Sequence, residues 1–392
     1  MIEFLIINIK YFNDAAGKMF QFGYKRPLKK DIILLYPDRE PLIKKYIFQN
    51  FPYQVLDLGR FVSVYPAVIL KMLSLLTTIN WRYIFSSKRK VKEFFKQIYE
   101  LNQQAFIEYV NPKVAVTFID DSYLVHQLSR RCRRVRFLCI QNGLRLDFNF
   151  YLDDEYRARD SDPRMIDFFC FGEADVARYT KHQVGIQKFM PVGSLVGGIY
   201  WSEMSTNARP TYDICYISSW ISGTRPQKDN ETGWALLRSD LETASVIESG
   251  LKTLIEEKNY KVIVALKYEQ CQEEMRYFTD VFGDQVAIEP ASRQNFSAYR
   301  AMEKARLCVS GLSTCVAEAL GAGRRGLFVN PSRFAGVRIP EAEICYLEGA
   351  GYEQFCERVE VLLGMSDQEY SQAMSKASRY IMNYDRHQMP HV

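Results

Sequence analysis

The sequence predicts an α/β fold made of two parallel-sheet domains joined near the middle of the chain. Three observations carry that expectation. The chain has 392 residues, roughly two to three typical domains. Short apolar, β-rich runs alternate with helical stretches throughout. A polar, aperiodic segment at 204–210 ends in proline and reads as the linker. In the first half the runs are 31–36, 114–119, 136–140, 167–171 and 189–192; in the second they are 212–217, 262–266, 285–288, 306–309 and 326–329. Each is too short for a helix, is apolar on both faces and ends in polar or glycine residues, as a strand buried within a parallel sheet does. Two consecutive sheets of about five strands each are therefore expected. The tail at 367–384 reads as one more helix, with Tyr370, Met374, Ala377, Tyr380 and Ile381 at helical spacing.

Composition excludes several classes. With 47% hydrophobic and 25% charged residues the chain is an ordinary globular one, which rules out intrinsic disorder. Lys71 and Arg82 interrupt the most apolar stretch, 61–85, so no membrane-spanning helix is expected there. The apolar opening at 1–7 lacks a basic start and a small-residue cleavage site, so no signal peptide is expected. Nine scattered cysteines without a C-x-x-C pair suit reduced thiols in a cytoplasm and no structural zinc. The net charge of +5 hides an asymmetry. Residues 1–200 hold 30 Lys and Arg against 20 Asp and Glu, a balance of +10, whereas residues 201–392 hold 21 against 26, a balance of −5. A basic first half suits an anionic partner. No helix-turn-helix, zinc-finger or RNP-like pattern accompanies it, and nucleic acid is not an expected partner.

In an open parallel sheet, ligands bind beyond the carboxyl ends of the strands. The segment 305–323 is the most informative such place. A strand ends at Ser310 and Gly311, Ser313 or Thr314 stands where an N-cap belongs, and a helix carrying Glu318 runs until the glycines stop it. Gly311 lets a ligand approach the backbone, the free N–H groups and hydroxyls suit a phosphate, and Glu318 is within reach of a ribose. The plain structural alternative is a capped helix with no ligand.

This block resembles the donor-binding region of the second domain in GT-B glycosyltransferases. The resemblance extends loosely over the chain and implies two Rossmann-like domains facing across a cleft, with a C-terminal crossing helix. It sets the domains at 1–203 (acceptor), 211–366 (nucleotide-sugar donor) and 367–392 (a helix packing back on the first). Within that class the chain is most similar to bacterial surface-polysaccharide transferases, including those using CMP-ulosonic acids such as CMP-Kdo, where a serine-serine or serine-threonine pair grips the CMP phosphate; Ser313 and Thr314 match that pair. The chain departs from sialyltransferase-like families, for none of its four histidines precedes a proline. It also lacks the second Glu that follows at the spacing used by many retaining UDP- or GDP-sugar enzymes. The resemblance implies a glycosyltransferase with a nucleotide-sugar co-substrate, a glycan or lipid-linked acceptor and no other cofactor. The rival readings are a nucleotide-sugar hydrolase or epimerase of the same fold, and a non-catalytic glycan-binding module.

Other loops fit those roles. Ser218 and Ser219, then Ser222, Gly223, Thr224 and Arg225, follow the first strand of the second half and offer donors to a phosphate or carboxylate. Lys267 ends the next strand and would neutralise the leaving phosphate. In the first half, Asp120 and Asp121 end a strand, and one of them would be the general base of an inverting reaction; the alternative is a helix-starting pair. Gln141, Asn142 and Arg145 lie in a turn suited to sugar hydroxyls and an anionic group. Asp229 would be the nucleophile of a retaining double displacement, with Glu155 a secondary acid/base. Asp160 and Asp162 form a D-x-D in a charged loop rather than after a strand, and no metal is expected. Residues 61–95 mix aromatic and aliphatic side chains with lysines and arginines. They read either as an interfacial segment or as a helix against its own sheet, and the former would hold the protein at the inner face of a bacterial cytoplasmic membrane. The arginines at 130–136 add a compact positive patch.

Overall fold

The computed structural model describes residues 21–59, 61–78, 88–152, 164–206, 209–221 and 231–385. Fourteen strands are formed among them: β1 (Gln21–Gly23), β2 (Ile32–Leu35), β3 (Tyr53–Leu56), β4 (Phe61–Ser63), β5 (Val114–Thr117), β6 (Arg136–Ile140), β7 (Arg164–Cys170), β8 (Ile186–Pro191), β9 (Tyr212–Ile217), β10 (Val262–Ala265), β11 (Val286–Glu289), β12 (Ala305–Ser310), β13 (Arg325–Asn330) and β14 (Tyr346–Glu348). They make two six-stranded sheets, in the orders β3-β2-β5-β6-β7-β8 and β11-β10-β9-β12-β13-β14, and a small sheet of β1 and β4. Each large sheet thus has one strand more than expected. The strands missed, among them Tyr53–Leu56 and Tyr346–Glu348, are three or four residues long and lie at sheet edges or in the small sheet, where mixed burial leaves no apolar run to read.

The chain divides into two compact units. One comprises Met1–Asn142, Asp162–Phe168 and Ile186–Lys188; the other comprises Gly143–Ser161, Phe169–Gly185 and Phe189–Val392. In the first unit β2 pairs in parallel with β3 and β5, and β5 with β6. Ile33, Leu34, Leu35, Ala115, Val116, Phe137 and Cys139 are buried in it, which is why those runs read as apolar on both faces. Residues 61–95 divide between β4 and the helices Pro66–Leu75 and Lys88–Val110, which pack on each other; residues 79–87 lie outside the described part. Leu70 and Leu73 remain 67% and 50% exposed on the first of these helices.

In the second unit every neighbouring pair of strands is parallel. Counted from β9 the order is 3-2-1-4-5-6, the Rossmann order, and the direction of winding reverses between β9 and β12. Ile214, Tyr216, Val264, Val309 and Phe328 fill the sheet, against Leu251 and Leu254 of the long helix Glu231–Lys258 and Phe355 and Leu362 of the helix Tyr352–Gly364. Each such side chain fully buried contributes about 1.5–3 kcal/mol. The tail helix spans Asp367–Ile381 and starts in a capping box in which Ser366 and Glu369 exchange hydrogen bonds. Within this unit it packs on the helices Glu173–Lys181 and Thr314–Gly321. Ser205 and Thr206, in the segment read as a linker, are fixed to the buried Glu303 carboxylate: both hydroxyls and the Thr206 N–H donate to it. All nine cysteines are free thiols.

Candidate functional site

The crevice of the second sheet lies where β9 and β12 end. There Ser219 Oγ is 3.5 Å from Ser310 Oγ, which donates to the Ile217 carbonyl at 3.0 Å. Past Ser310 the chain turns into the helix Thr314–Gly321. Ser313 is its N-cap in extended conformation, with Oγ accepting from Cys315 N at 3.2 Å. The expected cap is therefore present, and the helix presents its positive end at the carboxyl edge of the sheet. Thr314 Oγ1 accepts from Leu144 N at 3.1 Å, which brings the turn at 143–145 against that helix start. A Cβ at Gly143 would lie 3.5 Å from Arg145 Nη1 and 3.6 Å from Thr314 Oγ1. Arg145 is only 6% exposed. A buried guanidinium and a helix N-terminus thus converge on one glycine, and both are positive. An anion with several oxygens, such as a phosphate, suits both. Sequence reasoning placed Arg145 in the acceptor group and Thr314 in the donor group, yet both lie in the second unit around Gly143.

Four other residues of the expected donor group meet neighbours within the protein. Gly311 is required by packing, since a Cβ there would lie 2.7 Å from Thr243 Cγ2 of the helix Glu231–Lys258. Ser218 is buried, and its hydroxyl donates to Glu274 Oε1 at 2.5 Å instead of facing a ligand. Lys267 is exposed, with its Nζ 5.2 Å from the centre of the Tyr268 ring, while its backbone N–H donates to Glu274. Glu318 does not face a ribose. It is 3% exposed, accepts from Tyr299 OH at 2.9 Å through Oε2 and from Ser194 Oγ through Oε1. Burial and the Glu318 charge push the Tyr299 hydroxyl well above its ordinary range, so it stays a proton donor. Arg225, Asp229 and Glu155 lie outside the described residues, as do Asp160 and Asp162.

In the first sheet the winding reverses between β2 and β5, and Asp120 and Asp121 follow β5. Asp120 is 1% exposed and accepts from Asn142 N at 3.0 Å, and its carbonyl accepts from His126 Nε2 at 2.9 Å. It joins the ends of β5 and β6. Asp121, by contrast, is exposed. Beside it Tyr36, which follows β2, shares a 2.7 Å hydrogen bond with Ser122. Gln141 is buried and Asn142 exposed.

Two carboxylates escaped the sequence reading. Glu274, fully buried, accepts from Ser218 Oγ, Lys267 N and Tyr268 N and so ties together the loops after β9 and β10. Nothing local marks it, for its partners are 6 to 56 residues away. Asp240 lies on the helix Glu231–Lys258, beside Ser239, which accepts from Ser332 Oγ at 2.8 Å, and one turn before Thr243. Burial pushes the Asp240 carboxyl up to about 6, partly offset by Lys267. Between about pH 4, where an unfolded Asp titrates, and pH 6 the folded protein keeps a proton that the unfolded chain releases, so stability falls as pH rises through that window. Asp240→Asn should therefore stabilise the protein at pH 7 by about 2–3 kcal/mol and flatten its stability profile between pH 4 and 6. A denaturant midpoint series across that range checks both.

Among the described residues no group of His, Cys, Asp or Glu is arranged to hold a metal ion, and no helix is long and apolar enough to cross a membrane. The chain is an α/β protein of two Rossmann-like domains with the GT-B-like architecture. It is similar to a "putative UDP-N-acetylglucosamine 2-epimerase" of Listeria monocytogenes at 12% identity and TM-score 0.52, over 92% of this chain and 93% of that one. It is likewise similar to MnaA of S. aureus, solved with UDP, at 12% identity and TM-score 0.50, over 91% and 93%. A glycosyltransferase from Rickettsia africae aligns at 8% identity and TM-score 0.47, over 91% and 95%. No curated protein matches in sequence. The sequence profile of one family, described as "putative O-antigen biosynthesis protein", matches residues 138–390, well over half the chain. The protein belongs to that family.

Proposed function

We propose that this protein is a glycosyltransferase that moves a sugar from a nucleotide-activated donor to a growing surface polysaccharide. The observation that carries the reading is the convergence of Arg145 Nη1 and Thr314 Oγ1 on Gly143 at the start of the helix Thr314–Gly321, a place suited to the donor phosphate. Family membership supports the polysaccharide, and the fold supports the nucleotide sugar. The donor-binding group is Ser219, Ser313, Thr314 and Arg145. Asp121 is the general base on the acceptor hydroxyl, because it lies exposed at the carboxyl edge of the first sheet where an acceptor can reach it, whereas Asp120 is buried. Asp121→Asn should then lower kcat by about 10²–10⁴-fold with nucleotide affinity unchanged. Asp120→Asn should instead lower stability, seen as an earlier denaturant midpoint.

A thermal-shift panel of CMP, UDP, GDP and CDP tests the donor site, since a ligand selective for the folded state raises the melting temperature by mass action. A response to CMP alone supports an ulosonic-acid donor such as CMP-Kdo, and a response to UDP alone replaces it with a UDP-sugar. Silence to all four removes the nucleotide reading. A second reading, an epimerase or hydrolase, draws on the likeness to proteins named as UDP-N-acetylglucosamine 2-epimerases. It requires donor turnover without any acceptor, which the transferase reading excludes as the main reaction.

A further inference from the structure

At the amino edge of the first sheet is a cavity of about 430 Å³ walled by five cations, Lys113, Arg133, Arg134, Arg136 and Lys188, with a single lining carboxylate, Asp167. The topology gathers them. Lys113 immediately precedes β5, Arg136 opens β6, and Lys188 is the third residue of β8. Strands β5 and β6 run parallel with Val114 opposite Arg136, so their starts share one edge. The carboxyl edge of the same sheet, where Asp121 lies, is the other one. Asp167 is 2% exposed and held by the Arg136 guanidinium, so that pair is part of the wall. Lys113 Nζ is 2.9 Å from Asp31, an exposed partner that solvent screens. Arg133, Arg134 and Lys188 bring further positive charge to the same space, and all three are exposed.

Like charges gathered around one hollow repel, and an anion inside relieves that repulsion. The planar forks of Arg133 and Arg134 match the oxygens of a phosphate, and the volume falls within the roughly 300–1,000 Å³ of small-ligand clefts. We propose that this cavity is a phosphate-binding site of the first unit, separate from the nucleotide site of the second. The phosphate would come from an anionic lipid headgroup or from a soluble phosphorylated molecule. The inference rests on the cavity alone and stands whether or not the transferase reading does.

The test uses the full chain and the double variant Arg134→Glu/Lys188→Glu, with Arg134→Gln/Lys188→Gln as a milder companion. Both positions are exposed, and Arg136 is kept because Asp167 depends on it. In phosphate-free buffer both variants should melt no lower than the native protein, since fewer like charges repel, and the response to nucleotides should be the same in all three proteins. Inorganic pyrophosphate is titrated by thermal shift. Cosedimentation is measured with phosphatidylglycerol vesicles and, for contrast, phosphatidylcholine vesicles. The native protein should bind pyrophosphate or phosphatidylglycerol at least tenfold better than the charge-reversed variant, with the glutamine variant between them. Binding should weaken steeply as salt is raised from 0.05 to 0.5 M, roughly the range over which the screening length shrinks severalfold. Preference for the phosphatidylglycerol vesicles assigns the headgroup, and a pyrophosphate shift without vesicle binding assigns a soluble ligand. Failure to bind either probe, or equal binding by all three proteins, overturns the proposal.

Discussion

Glu318→Ala is expected to destabilise the second unit by about 3–5 kcal/mol, because it leaves two buried hydroxyls without their acceptor and opens a cavity among them. Tyr299 loses the 2.9 Å bond to Oε2, and Ser194 loses the bond to Oε1. Ser194 is also the N-cap of the helix Leu195–Ile199, its Oγ accepting from Gly197 N at 3.2 Å, so the damage passes into a second element. Glu318→Gln keeps the size and one acceptor, and should cost about 1–2 kcal/mol. Urea unfolding followed by tryptophan fluorescence reads this well, since Trp201, Trp220 and Trp234 all belong to the second unit. The two roles for Glu318 separate cleanly. A ribose contact would make both variants bind nucleotide poorly at native stability, whereas a structural acceptor makes both less stable while the residual folded protein still binds. An alanine variant costing under about 1 kcal/mol would refute the structural role of this buried network.

Arg145→Ala is expected to raise the dissociation constant for the responding nucleotide by about 30- to 4,000-fold, the 2–5 kcal/mol typical of a buried charge lost from opposite an anion. Arg145→Lys should recover only part of this, for an ammonium cannot offer the bidentate fork. Thr314→Val, which removes the acceptor of Leu144 N, should weaken binding less and act by loosening the turn at 143–145. Ser313→Ala serves as the internal control. It costs about 1 kcal/mol of stability as a lost N-cap whether or not a phosphate binds, so its effect on affinity beyond that measures the hydroxyl's own contact. Native affinity in Arg145→Ala would show that the guanidinium does not meet the ligand.

How much of this was legible beforehand differs between the frame and the site. The central strands could be read because a strand covered on both sides must be apolar along its length, as at 262–266 and 306–309. Ser313 could be read as a cap because capping is local: its partner is two residues away. The roles of Ser218, Gly311 and Glu318 could not be read, since each is decided by a partner distant in sequence: Glu274, Thr243, and Ser194 with Tyr299. In each case a residue type suited to a ligand was suited equally to a buried neighbour. The pairing of Arg145 with Thr314 was hidden for the same reason, being 169 positions apart in the chain.

The end of the tail helix and the segment after it rest on four glycines. A Cβ at Gly172 would lie 2.3 Å from the Tyr380 carbonyl, at Gly193 2.6 Å from Tyr384 Cδ1, at Gly197 2.0 Å from Tyr384 OH, and at Gly321 2.4 Å from Met382 Cγ. Asn383 fastens the segment with its N–H on the Phe171 carbonyl and its amide on that of Pro191. Evolutionary freedom along this contact should consequently be lopsided. At Gly172 the obstacle is main chain, which no change of side chain can move aside, so that position should stay glycine through wide divergence while Tyr380, facing solvent at 37% exposure, drifts.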